Sequence, residues 1–125
     1  MATYNGAKYL DEQIQSLIEQ KNVQVDILVR DDGSTDNTIE VLNKWKEHNK
    51  LEWYKGKHLN VQFGFYDLME RARTRDVDYL AFCDQDDVWD LDKLCIAVEK
   101  LEKLCNKSMP ALYYCGQRLV DENMK

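Results

Sequence analysis

The chain is short of the features that would make it something other than a folded, water-exposed domain. It has one proline and five glycines in 125 residues, and no Pro/Gly-rich linker or low-complexity tract divides it. No apolar run approaches the roughly 20 residues that a membrane span needs, and the N-terminus lacks a basic segment leading into an apolar one. Positive charge is also in deficit: 17 Lys plus Arg against 23 Asp plus Glu give a net charge of −6. Such a balance excludes general attraction to nucleic acid or to an anionic membrane surface. The four cysteines, Cys83, Cys95, Cys105 and Cys115, are too far apart for a Cys-x-x-Cys metal knuckle and read as small core residues in a reducing compartment. We therefore expect a cytoplasmic protein, at most peripheral at the inner face of the membrane.

What is present is an alternation of helical and strand patterns. Leu10, Ile14, Leu17 and Ile18 recur at helical spacing, predicting an amphipathic helix over about 8–20. Val25 to Arg30 reads as a mostly buried strand, and Ser34, Thr35 and Asp36 can cap a helix carrying Ile39, Leu42 and Trp45. A strand over Leu51 to Tyr54, a loop from Gly56 to Gly64 and a helix through Phe65, Leu68, Met69 and Ala72 follow. Tyr79 to Cys83 is the next expected strand, Leu91 to Leu101 the longest helix, and Ala111 to Cys115 a last strand candidate. Strands alternating with helices predict a mostly parallel sheet with helices on both faces. In such sheets ligands bind beyond the carboxyl ends of the strands.

Two acidic clusters fall where strands end: Asp31 and Asp32 in "VRDDGSTDNT", and Asp84, Asp86 and Asp87 in "AFCDQDDVW". Crowded carboxylates repel one another unless a cation or a set of donors lies among them. A hard divalent ion such as Mg²⁺ or Mn²⁺ would relieve that repulsion and let an acidic protein hold a diphosphate, using only one or two carboxylates of its own. The plain alternative is a solvated loop that caps the helix starting near Asp90, and for a lone Asp-x-Asp that alternative is the better one.

Three segments together change the balance. "ATYNGAKYLDEQIQSL" at 2–17, "VRDDGSTDNTIEVL" at 29–42 and "AFCDQDDVWDLDKL" at 81–94 resemble the family 2 glycosyltransferases in order and approximate spacing, over nearly the whole chain. That resemblance implies the GT-A fold, a Rossmann-like, mostly parallel α/β sheet that binds nucleotide-diphosphate-sugars. It implies that Thr3, Tyr4 and Asn5 contact the donor's base and ribose, and that one of Asp31 and Asp32 hydrogen-bonds the pyrimidine. It further implies that Asp84 lies near the ribose, that Asp86 ligates the metal, and that Asp87 and Trp89 shape the donor-sugar end. "DQDDVW" looks most like the rhamnosyltransferase-like members, which points to a dTDP- or UDP-sugar as donor and a saccharide as acceptor.

In the family, an acceptor hydroxyl attacks with inversion and a carboxylate general base takes its proton. That base belongs to an acceptor-binding half lying after the segment present here, so no catalytic residue is assigned. The sequence thus reads as a single donor-binding domain over 1–125, without the acceptor half and without the apolar first strand that normally precedes the residues matching Ala2 to Asn5. A missing first strand would leave a sheet edge open to self-association. Rival readings are a phosphoaspartate receiver domain built on Asp31, Asp32 and Asp84, a dehalogenase-type phosphatase with Asp84 as nucleophile, and a nucleotide-binding fragment without turnover. His48 and His58 lie in polar stretches and read as solvated; Trp45 and Phe65 read as core.

Overall fold

The computed structural model describes residues 1–57, 60–104 and 109–121, so the expectations for His58 and Cys105 lie outside the described residues. Three parallel strands, β1 (Ala2–Thr3), β2 (Leu28–Asp31) and β3 (Glu52–Lys55), lie in the order β1-β2-β3. Between and after them come α1 (Ala7–Ile18), α2 (Thr38–Glu47), α3 (Val61–Ala72) and α4 (Lys93–Leu104). Leu28 pairs with Glu52, Arg30 with Tyr54, and Thr3 with Asp31, which brings the carboxyl ends of all three strands to one edge.

Side-chain alternation along β2 divides the two faces. Val29 is fully buried in a cluster with Leu10, Ile14 and Leu17 of α1 and Leu42 of α2. Arg30, one residue on, must point the other way, and it reaches Asp67 of α3. Helices therefore cover both faces, as the alternating pattern predicts. Asn60 begins α3 by accepting a hydrogen bond from the Phe63 amide at 3.1 Å, so the helix starts within the stretch expected to be loop.

Three expectations are corrected. The first strand is present, as the two-residue β1, which continues the ladder through the Arg30 amide donating to the Met1 carbonyl at 3.0 Å. Tyr79 to Cys83 forms no strand with the described residues: Tyr79, Leu80 and Phe82 are exposed, Phe82 resting edge-on against Phe65. Ala111 to Cys115 is likewise irregular, with Leu112 and Tyr114 almost wholly in solvent. Apolar, β-branched and aromatic content makes a segment fit for a sheet, but a strand exists only where a neighbour pairs with it.

The segment after Cys83 is fastened instead by polar residues of α1 and of the turn that follows it. Gln13, Ser16 and Gln20 are buried at helical spacing beside the apolar stripe. Gln13 Nε2 meets the Cys83 thiol, Ser16 Oγ accepts from the Trp89 amide at 3.1 Å, and Gln20 joins the Asp90 carbonyl and the Leu94 amide at 2.8 and 2.9 Å. Residues 83–94 are thus laid along α1, which positions the second acidic cluster without a strand.

Of the described cysteines only Cys83 is buried; Cys95 is half-buried and Cys115 exposed, so Cys115 is not the core residue expected. Burial pushes the Cys83 thiol up to about 11. Alkylation at about pH 8 should therefore modify Cys115 quickly in the folded protein and Cys83 only after denaturant is added, because the thiolate is the reactive form. Mass mapping of the labelled peptides checks this. No helix of the described residues is long and apolar enough to cross a membrane.

Candidate nucleotide-diphosphate site

The three sequence motifs converge at the carboxyl edge, with the loop after β1 as their hub. On one side, the Asn5 amide donates to Ser34 Oγ at 2.9 Å and the Thr35 amide to Asn5 Oδ1 at 2.8 Å. Asn5 adopts φ 50°, in the left-handed region that asparagine tolerates better than most residues. On the other side, Gln85 Oε1 accepts from Thr3 Oγ1 at 2.7 Å and from the Tyr4 amide at 2.9 Å, while its Nε2 donates to the Tyr4 carbonyl at 3.3 Å. Asp84 and Asp86 flank that glutamine. Both acidic clusters therefore meet at one edge of the sheet, on either side of Thr3, Tyr4 and Asn5.

The two members of the first pair have different surroundings. Asp31 is wholly buried; its carboxylate accepts from the Gly33 amide at 3.0 Å, the Ser34 amide at 3.2 Å and the Ser34 hydroxyl. Gly33 has φ +91°, a backbone state that an L side chain rarely adopts, so this tight turn requires glycine. Asp32 is paired with Arg30, and a tenth of its side chain still reaches solvent. Beyond the turn, Asp36 accepts from the Thr38 amide and hydroxyl at 3.0 and 2.5 Å and from the Ala7 amide at 3.2 Å. The bond from the Thr38 hydroxyl chiefly holds the Asp36 carboxyl below the usual range. Asp36 thereby ties the start of α2 to the start of α1.

In the second cluster Asp84 and Asp86 are exposed and Asp87 half-buried. Partial burial, then the charges of Asp87 and Asp86, raise the Asp84 carboxyl above its ordinary value. For a carboxylate raised in this way the sign is clear: folding becomes less favourable as pH climbs from the unfolded-chain value through the folded one, and the penalty persists at neutral pH. Asp84→Asn should accordingly raise the melting temperature at pH 7 while leaving it nearly unchanged below about pH 3.5, where both states carry a protonated group. Thermal melts of the two proteins across that range check it.

Trp89, expected at the donor-sugar end, sits in the hydrophobic core at 6% exposure with Lys93 over its ring. Among the described residues no group of three or more His, Cys, Asp or Glu side chains converges on a preformed metal cage. An oxygen-seeking Mg²⁺ or Mn²⁺ does not need one, since water and phosphate oxygens complete its shell. Exposed carboxyl oxygens, and the charges of Asp87 and Asp86 that add to the effect of burial on Asp84, fit such an ion.

Sequence reading missed Gln85 and Arg30. Gln85 carries no signal apart from lying inside the Asp-x-Asp. Arg30 did carry one, because an arginine closing an apolar strand must find partners if it is buried.

A parallel sheet with a Thr-Tyr-Asn loop after β1, an Asp-Asp-Gly-Ser turn closing β2 and an Asp-x-Asp loop held against the same edge by Gln85 has the architecture of the nucleotide-sugar-binding GT-A proteins. The chain belongs to glycosyl transferase family 2, whose sequence profile matches residues 1–122. It is similar to the dTDP-rhamnosyl transferase RfbG of Shigella flexneri, at 35% identity over 98% of this chain and 45% of that protein. A glycosyltransferase of Nostoc sp. is 35% identical over 79% of this chain and 30% of its own length. In structure it resembles S. aureus TarS 1–349 in complex with UDP, with a TM-score of 0.61 and 25% identity over 82% of this chain and 30% of that one. The chain thus spans less than half the length of these relatives. Family membership sets aside the receiver and phosphatase readings.

Proposed function

We propose that this chain is the donor-binding part of a glycosyltransferase that moves a sugar from a nucleoside diphosphate to a hydroxyl of a saccharide acceptor, with inversion, in cell-surface polysaccharide synthesis. The observation that carries this reading is the convergence of Thr3 to Asn5, Asp31 to Asp36 and Asp84 to Asp87 on one sheet edge through Gln85 and Ser34. A carboxylate suits uracil or thymine, whose N–H lies between two carbonyls. The Tyr4–Asn5 loop offers contacts to base and ribose, with Asp84 beside the ribose and Asp86 as ligand of Mn²⁺ or Mg²⁺. Asp87 faces the donor-sugar end in this reading. A bound divalent ion would stabilise charge on the departing diphosphate. Similarity to a dTDP-rhamnosyl transferase favours dTDP-rhamnose as donor.

Calorimetric titration of UDP and dTDP, with Mn²⁺ and with EDTA, tests the reading. We expect metal-dependent binding that Asp86→Ala weakens at least about tenfold, the loss of one charge-assisted contact. A folded protein that takes neither nucleotide would overturn it, and binding without sugar transfer to any acceptor would identify a nucleotide-binding fragment. Because β1 is an edge strand, we also propose pairing of β1 with a second copy, which sedimentation over a concentration series would show as a growing dimer fraction.

A further inference from the structure

Arg30 is the largest fully buried side chain among the described residues, and every nitrogen of its guanidinium is engaged. One terminal nitrogen meets Asp32, the other donates to the Lys57 carbonyl at 2.6 Å, and Nε donates to Asp67 at 3.0 Å. Asp67 is in turn held by the Tyr54 hydroxyl at 2.6 Å, and Arg71 stacks on the Tyr54 ring at 3.8 Å. Two glycines make room for this group: a Cβ on Gly56 would come within 2.5 Å of the guanidinium, and one on Gly64 within 3.1 Å. The planar fork thus clamps the end of β2, the loop after β3 and α3 around Asp32, next to the Asp31–Ser34 turn.

We infer that Arg30 is a positioning residue that fixes the Asp32 carboxylate as the reader of the donor base, so that selection of uracil or thymine over cytosine depends on Arg30. The inference rests on the nucleotide-binding reading above. Its chemistry is simple: uracil and thymine offer an N–H at N3, whereas cytosine offers only a lone pair there, which a fixed carboxylate repels. A carboxylate that can turn away loses the contact with the first and the repulsion toward the second. A fork that bridges two carboxylates and a carbonyl cannot be replaced by the point charge of lysine.

The test measures affinities of UDP and CDP, with Mn²⁺, for the wild-type protein, Arg30→Gln, Arg30→Lys and Asp67→Asn, each shown folded by circular dichroism. The wild type should prefer UDP by about tenfold or more, the worth of a hydrogen bond to a charged group. In Arg30→Gln and Arg30→Lys that preference should fall below about threefold, with UDP losing affinity and CDP keeping or gaining it. Asp67 has 43% of its side chain exposed, so Asp67→Asn should fold even if the arginine variants do not, and its preference should fall part of the way. Equal losses for UDP and CDP, with the ratio preserved, would make Arg30 a structural support only and overturn the inference. So would a wild type that binds both equally well. Failure of the wild type to bind UDP or dTDP at all would instead overturn the donor-site reading beneath it.

Discussion

Asp31→Ala should cost about 2 to 4 kcal/mol of stability and abolish measurable nucleotide binding. The carboxylate is completely buried and accepts from two backbone amides and one hydroxyl of the turn that follows it. A hydrogen bond to a charged acceptor contributes about 1.5 to 3 kcal/mol. Gly33 and Ser34 are half-buried, so water recovers part of each lost bond, and the total stays well below the sum of three. The functional loss follows a different route. Ser34 Oγ donates to Asp31 and accepts from the Asn5 amide, so the turn and the Tyr4–Asn5 loop are held by one relay. Without Asp31 the positive-φ turn at Gly33 loses its carboxylate anchor, and Ser34 Oγ is no longer held in place for the Asn5 amide. Asp31→Asn keeps one carbonyl acceptor but aims an NH2 at a donor; it should cost about half as much. Urea unfolding at pH 7 gives the stability of each variant, and an unchanged m-value would confirm that the native fold, not the unfolded chain, carries the difference.

Much of this arrangement could be read from the residues alone, for physical reasons that differ along the chain. Helices α1 to α3 announce themselves because one apolar stripe at a period of 3.6 must be buried against a sheet. β2 and β3 were legible because short apolar runs between helices have few other uses. The first acidic cluster could be placed at the carboxyl edge because β2 ends there, whereas the second reaches the same edge without a strand, held by Gln13, Ser16 and the Gln85 bonds to Thr3 and Tyr4. What could not be read is whatever depends on a particular partner. Tyr79 to Cys83 has the composition of a strand but is irregular and largely exposed. Nothing in the sequence says that Trp89, expected at the donor-sugar end, is buried in the hydrophobic core cluster. The polar stripe Gln13, Ser16, Gln20 has helical spacing, but nothing in the sequence says that it fastens a segment seventy or so residues away. Arg30 belongs between these cases. Its charge at the end of an apolar strand signals a buried pair, while the identity of Asp67 as its second partner comes only from the register of β2 beside β3 and the placement of α3.

The same dependence on close approach makes Gly6→Ala the sharpest steric test of the site. Gly6 caps α1 at the point where the Tyr4–Asn5 loop enters the helix, and its amide donates to Thr38 Oγ1 at 2.9 Å. A Cβ there would lie 2.8 Å from the Gln85 carboxamide carbon and 2.9 Å from the Thr3 hydroxyl. Its backbone has φ −101°, which alanine adopts freely, so the cost is one of space alone. Overpacking of this kind costs about 1 to 3 kcal/mol, and the group that must yield is the side chain that ties Asp84 and Asp86 to Tyr4. Gly6→Ala should therefore weaken UDP or dTDP binding about tenfold or more while the helices stay intact, because two donors to Gln85 Oε1 are lost together. A double-mutant cycle with Gln85→Ala assigns the cause. Once the glutamine is shortened only the Thr3 hydroxyl still crowds the methyl group, so the second substitution should add much less, leaving a coupling of about 1 kcal/mol or more between the two positions. Additive losses would mean that the strain falls on Thr3 and the start of α1, and that the two acidic loops are held together by something other than Gln85.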